Sequence, residues 1–167
     1  LPGSVEPDQL FDRVMVDVPC SGLGALRRRP EARWRKSPRD IAELLPLQRQ
    51  LLDSAIEATR PGGVIAYVTC SPHAAETQNI VAEVLESGAV SLLDSAAALR
   101  EVALHTEGAN GEPVSVLAGE KDPGHTPEIK VKKGAPVVKA SENPTTAQLW
   151  PHVHGTDAMF LALLRKN

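Results

Sequence analysis

The first clear pattern along the chain is an apolar run from Phe11 to Val18, in which Val14, Met15, Val16 and Val18 leave almost no polar alternation. Such a run predicts a strand buried on both faces, ended by Pro19. A polar, strongly basic stretch follows from Arg27 to Lys36. Ser37-Pro38-Arg39-Asp40 then supplies an N-cap, a proline at the first helical position and an acid in the first turn, so a helix is expected to begin there. Its inward face is Ile41, Leu44, Leu45, Gln48, Leu51, Leu52, Ala55 and Ile56, at three-and-four spacing, with Pro46 read as a kink or a break between two helices. Arg60-Pro61-Gly62-Gly63 stops it. Val64 to Thr69 reads as a second short strand, and Ser71-Pro72 repeats the cap-plus-proline signature. A helix is expected from about His73 to Glu86, with Ile80, Val81, Val84 and Leu85 inward and Gly88 closing it; Ala89 to Leu93 reads as a third strand. This strand and helix alternation predicts a parallel sheet with helices on its faces and right-handed crossovers.

From Glu107 to Gln148 the pattern is lost. Ten of these 42 residues are Gly or Pro and none is aromatic, so no apolar period survives long enough to define an element. The segment reads as an insertion. Val114 to Leu117 and Ile129 to Val131 suit short edge strands, and a small hairpin and a mobile loop fit equally. Ordered structure should resume at Trp150, with a last buried strand from Ala158 to Leu164. No internal repeat is present.

Composition narrows the class. With 167 residues, 42% hydrophobic, 23% charged and a net charge of −3, the chain suits one soluble domain with a real core. No stretch is long and apolar enough for a membrane span, and Leu1-Pro2-Gly3-Ser4 has no signal-peptide character, so the expected compartment is the cytoplasm. Two cysteines cannot build a disulfide framework, and in a reducing compartment both are thiols. The absence of an initiator Met suggests a piece of a longer protein.

Each cysteine falls just past the carboxyl end of a predicted strand, where open parallel sheets place their ligand crevice. The first lies in Asp17-Val18-Pro19-Cys20-Ser21-Gly22 and the second in Thr69-Cys70-Ser71-Pro72. Cys70 directly precedes an expected helix start, whose free N–H groups and dipole favour a thiolate. Taken alone, either cysteine is most simply a small buried hydrophobe, and Asp17 alone a turn cap. Two strands that each deliver a thiol to one rim, one of them with a carboxylate, argue for chemistry instead. No Cys-x-x-Cys occurs, and His152 and His154 lie far from Cys70 and His73, which argues against zinc; no metal is expected. A Cys20–Cys70 disulfide under oxidation is conceivable without being the function. The basic run holds six cations, Arg27, Arg28, Arg29, Arg33, Arg35 and Lys36, against one acid. A solvated loop and a phosphate grip with Trp34 packed or stacked weigh about equally, and its departure from the rim directly after Cys20 favours the grip. Gly22 and Gly24 make only G-x-G and more simply permit a tight turn.

Together, Asp17-Val18-Pro19-Cys20-Ser21-Gly22-Leu23-Gly24, the following Arg-Arg-Arg-Pro and Arg-Trp, Leu47-Gln48-Arg49-Gln50-Leu51-Leu52, Pro61-Gly62-Gly63 and Thr69-Cys70-Ser71 closely resemble bacterial RNA cytosine-5 methyltransferases of the RsmB/Sun type. The resemblance is strong over Phe11 to Ser87 and resumes at Gln148 to His152 and Gly155 to Phe160. It implies an α/β fold, the later half of a Rossmann-like methyltransferase sheet with an antiparallel last strand. It also implies S-adenosylmethionine as cofactor, with Asp17 and Pro19 beside it, and RNA, expected to be 16S ribosomal RNA, as substrate. In that family the residue matching Cys70 adds to cytosine C6, the acid matching Asp17 holds the base edge, and the thiol matching Cys20 assists release. The family's glycine-rich cofactor loop and acidic strand end, and its upstream RNA-binding domain, are expected outside these 167 residues, so the fragment alone should be inactive and its cut sheet edge should favour self-association. The competing reading is a non-catalytic RNA-binding or ribosome-assembly module that keeps the fold.

Overall fold

The computed structural model describes residues 9–102, 105–107, 113–115 and 145–167. In chain order the strands and helices are β1 (Phe11–Asp17), α1 (Ala32–Arg35), α2 (Pro38–Ala58), β2 (Thr59–Thr69), α3 (Gln78–Glu86), β3 (Val90–Leu92), α4 (Ser95–Val102), β4 (His105–Glu107), β5 (Pro113–Ser115), β6 (Ala147–Gln148), α5 (Pro151–His154) and β7 (Phe160–Lys166). The main sheet has the order β1-β2-β7-β3, with β6 pairing beside β3's position on β7. β1 and β2 are parallel, and β7 runs antiparallel to both β2 and β3. The expected α/β class and antiparallel last strand are therefore observed, with β7 lying between β2 and β3.

One face of the sheet carries the core. Ile65 and Tyr67 of β2 and Phe160, Ala162 and Leu164 of β7 are completely buried, in one cluster with Leu52, Ala55 and Ile56 of α2 and Ile80, Val81 and Val84 of α3. Tyr67 and Phe160 meet edge to face, with ring centroids 6.3 Å apart. The alternate positions Val64, Ala66, Val68, Leu161 and Leu163 are only half-buried. Burial on one face is what strand periodicity produces when helices cover a single side. β1 departs furthest from expectation. Its apolar run predicts burial on both faces, yet it forms a sheet edge with Phe11 55% and Met15 74% exposed.

Helix α2 begins where its sequence signals place it. Ser37 and Asp40 form a capping box, in which the Ser37 N–H and hydroxyl both donate to the Asp40 carboxylate at 2.7 Å. Pro46 does not break it. The helix continues through Ala58, with Pro46 and Ala42 both exposed, so the Ala42 carbonyl that loses its partner faces water. The helix ends at Ala58, just before the Arg60-Pro61-Gly62-Gly63 stop, but β2 starts at Thr59 rather than Val64 and carries these residues as an irregularity: Phe11 pairs with Thr59, and Arg13 already with Val64. The expected His73–Glu86 helix is instead a short 3-10 turn at Ala74–Glu76 followed by α3. Helix α4 has no counterpart in the sequence expectations. Pro113–Ser115 does form a strand, paired with His105–Glu107; the Ile129–Val131 expectation and Leu1–Ser4 lie outside the described residues. Among the described residues no helix is long and apolar enough to cross a membrane.

Candidate active site

The parallel pairing of β1 with β2 brings the two cysteine segments together. Asp17 stands opposite Val68, and the Val18 N–H donates to the Val68 carbonyl at 3.1 Å, so both chains leave the sheet at one rim. Cys20 follows three residues after Asp17 and Cys70 two after Val68. Their sulfur atoms lie 3.4 Å apart, as free, half-buried thiols. Residues 50 positions apart in the chain thus meet at one rim. The Asp17 carboxylate is exposed at the same rim, close enough for its charge to act on Cys70.

Burial, the hydrogen bond that the neutral Cys70 thiol shares with Cys20, and the charges of Cys20 and Asp17 push the Cys70 thiol up to about 11. The expected thiolate at a helix N-terminus is therefore not the resting state. Cys70 precedes no α-helix directly, since α3 starts only at Gln78, and half-burial beside an acid disfavours a second negative charge. Two units above an ordinary thiol leave about a hundredfold less thiolate at neutral pH. Alkylation of Cys70 by iodoacetamide, followed by mass spectrometry of its peptide, should accelerate about tenfold per pH unit through pH 10. A plateau setting in just above pH 9 would show an ordinary thiol instead.

Gly24 closes the rim. Its N–H donates to the Cys70 carbonyl at 2.9 Å, and its carbonyl accepts from the Ala158 N–H at 2.9 Å, so the loop after β1 is stitched to both β2 and the entry of β7. A Cβ here would stand 2.6 Å from the Cys70 carbonyl oxygen and closer still to that of Ala158. The tight turn inferred from Gly22 and Gly24 is thus only half of the reason: Gly22 has φ 71°, whereas Gly24 is needed because three backbones converge on it. Gly24→Ala should destabilise the fold by about 1–3 kcal/mol, read by denaturant unfolding, because backbone atoms must move apart.

The basic run divides into two parts. Arg27 donates to Asp157 at 2.8 Å, and Arg28 pairs with the other oxygen of the same carboxylate. The two guanidinium groups hold the Asp157 carboxyl down at about 2. Asp157, in the turn before β7, therefore draws Arg28 to within electrostatic reach of Cys70. Arg29, Arg33, Arg35 and Lys36 are exposed and make no ion pair among the described residues. Trp34 does not pack into the protein. It is 83% exposed, with the Arg33 guanidinium 5.6 Å from its ring centre. Among the described residues no three His, Cys, Asp or Glu side chains gather as a metal site.

A buried polar cluster that sequence reasoning missed lies directly behind the thiols. Glu76, fully buried, accepts from the Ser21 N–H at 2.7 Å, the Ser21 hydroxyl at 2.6 Å, the Ser71 hydroxyl at 2.6 Å and the Gln48 amide at 3.0 Å. Burial pushes its carboxyl up, but these hydrogen bonds outweigh burial and hold it below the usual glutamate range. Gln48 also donates to the Pro19 carbonyl at 2.9 Å. Two signals were present in the sequence. The doublet Cys-Ser occurs twice, at Cys20-Ser21 and Cys70-Ser71, and Gln48 is the one polar residue on the inward face assigned to α2.

With this geometry in view, the chain's likeness to known proteins is specific. A family model described as 16S rRNA methyltransferase RsmB/F matches residues 2–165. The methyltransferase-named protein Rv1407 of Mycobacterium tuberculosis is 48% identical over 159 residues, 95% of this chain and 27% of that protein. A Synechocystis protein named as a ribosomal RNA small subunit methyltransferase B is 48% identical over 77 residues, 46% of this chain and 17% of its own length. Among solved structures, PH0851 superposes with a TM-score of 0.64 at 26% identity, covering 95% of this chain and 27% of that one. NSun6 from Pyrococcus horikoshii, solved with SFG, has a TM-score of 0.57 at 21% identity, covering 91% of this chain and 29% of that one, and shares the fold. The chain spans about a quarter of the length of the first of these relatives. A model match over nearly the whole length, on a Rossmann-like sheet of this order, shows that the chain belongs to the RsmB/F family of 16S rRNA methyltransferases.

Proposed function

We propose that the complete protein is an S-adenosylmethionine-dependent RNA cytosine-5 methyltransferase acting on 16S ribosomal RNA, and that this chain contributes its nucleophile. The observation that carries the reading is the Cys20–Cys70 sulfur pair, 3.4 Å apart, with Asp17 on the same rim, in a chain of this family. Cytosine C5 is a weak nucleophile, so the base must first be activated. Cys70 gives its proton to solvent water and adds to C6, forming a carbon–sulfur bond as the C5–C6 π bond breaks and its electron pair moves toward C5 and N3. Asp17 holds the base edge and assists protonation at N3 as charge develops there. Asp17 and Pro19 are exposed at the end of β1, and a carboxylate there suits a ligand with cationic sulfonium and ammonium groups. S-adenosylmethionine, when bound, supplies an electrophilic methyl group to C5. Loss of the C5 proton then lets the electron pair return and expel Cys70, and Cys20, within hydrogen-bond reach of that sulfur, assists the release. A base inside a helical stem cannot reach Cys70, so the target must be unpaired or flipped out.

The exposed cations Arg29, Arg33, Arg35 and Lys36, with the bare ring of Trp34, suit a phosphate backbone and an unstacked base. Arg27 and Arg28, held by Asp157, would act from the pocket rim. The same surface is the basis of the rival reading, a binding or assembly module without catalysis. One experiment separates them: complete protein, labelled S-adenosylmethionine and small-subunit ribosomal RNA. Label at cytosine C5 supports the enzyme. Tight RNA binding without incorporation supports the module.

A further inference from the structure

Glu76 is a carboxylate with no charged partner. It is completely buried, and no cation forms an ion pair with it among the described residues. Leaving an ionised group so enclosed is costly unless its oxygens are well supplied with donors. They are: two donors reach each oxygen, all four at 3.0 Å or less. The Ser21 N–H and the Gln48 amide can only donate and both hydroxyls are placed to donate as well, the arrangement that an ionised carboxylate satisfies in full. A further bond fixes the residue at its own backbone, where the Tyr67 hydroxyl donates to the Glu76 carbonyl at 2.8 Å.

The identity of the donors gives the cluster its meaning. Ser21 is the neighbour of Cys20, and Ser71 is the neighbour of Cys70. Oε2 accepts from both hydroxyls at once, and the Gln48 amide extends the same cluster to the Pro19 carbonyl just before Cys20. The Ser21 and Ser71 hydroxyls also lie 3.4 Å apart, but no other described side chain outside the two cysteine segments bonds to both. We propose that Glu76 is a positioning residue, a buried clamp that sets the spacing and alignment of the Cys20 and Cys70 thiols by tying their loops together. Its consequence for turnover rests on the methyltransferase reading above; its consequence for the sulfur pair does not. Glu76 touches neither RNA nor the reacting atoms, so it should govern the rate of the chemical step rather than the grip on RNA.

The test uses the complete protein and its Glu76→Gln variant, which keeps side-chain size but turns charge-assisted bonds into neutral ones and sets an N–H against a donor or a hydroxyl. Two readouts are taken beside a thermal melt. The first is disulfide formation with diamide, an azo oxidant: two S–H bonds break, one S–S bond forms, and the azo group is reduced to a hydrazine with both protons. The second is steady-state methyl transfer to RNA. Glu76→Gln is expected to slow the Cys20–Cys70 closure at least about tenfold and to lower kcat by about 10- to 100-fold, with KM for RNA within about threefold, because misplacement of reacting groups by an ångström has effects of this size. The direction of the first readout is diagnostic. Removing a nearby negative charge by itself eases thiol deprotonation and would speed closure, so slowing reports geometry. Ser71→Ala, which deletes one tie and leaves the carboxylate, should act in the same direction and serves if Glu76→Gln does not fold. Wild-type closure rates in a folded variant overturn the clamp, whether or not kcat falls. If the wild-type protein transfers no methyl group but the variants still slow closure, the clamp stands and the methyltransferase reading fails.

Discussion

Cys70→Ser in the complete protein is expected to lower methyl transfer to RNA at least about a thousandfold, with little change in thermal stability. The substitution is nearly isosteric and the site is only half-buried, so the fold should survive. The chemistry should not. Attack at C6 needs an anion or a group that becomes one readily, and a serine hydroxyl ionises several units above even the raised thiol. Losing a nucleophile of this kind removes a covalent route rather than a single contact, which is why the effect is so large. Incorporation of labelled methyl groups measures it, with a melt as the folding control. An undiminished rate would mean that Cys70 is not the nucleophile, and the pairing of the two thiols would need another explanation.

The opposite substitution has a different signature. Cys20→Ser leaves Cys70 able to add to the base but removes the thiol that lies 3.4 Å from it during departure. Attack then continues while release slows, so a covalent protein–RNA adduct should accumulate, visible as a slow band on a denaturing gel. Turnover should fall about a hundredfold or more, the size typical of a lost proton-transfer group. The band should vanish in the double variant with Cys70→Ser, since no sulfur then remains to form it. A Cys20→Ser protein that turns over normally without an adduct would remove Cys20 from the release step.

Local chemistry made much of this fold legible in advance. The Ser37-Pro38-Arg39-Asp40 signal marked the start of α2 to the residue, because an N-cap and its box involve only near neighbours along the chain. Three-and-four spacing found the buried Ile41, Gln48, Leu52, Ala55 and Ile56, and the Ile80, Val81 and Val84 stripe of α3. The expectations that failed depend on surroundings. Pro46 reads as a breaker, but on an exposed helix face its missing bond costs little and packing of the opposite face holds the helix together. Helix α2 does end ahead of Pro61-Gly62-Gly63, but the strand read from Val64 already starts at Thr59, because β1 pairs on either side of the irregularity. Met15 reads as core, but it shares the exposed face of β1 with Phe11, Arg13 and Asp17, while Val14 and Val16 on the other face pack against the core.

The same division runs through the site. Motif and hydrophobic spacing by themselves located β1, β3, β7 and the end of β2, the helices α2 and α3, and, as candidates, both thiols, their acid and the cationic run. Tertiary structure alone decided that β7 inserts antiparallel beside β2, that Asp157 takes up Arg27 and Arg28, that burial keeps Cys70 protonated at rest, and that Glu76 joins the two serine neighbours. The reason is physical. Periodicity, caps and turns are written within a few residues of one another, whereas desolvation and hydrogen-bond partnership depend on which distant segments share a volume. Sheet register sets that sharing, and here it brings positions 20 and 70 to within 3.4 Å.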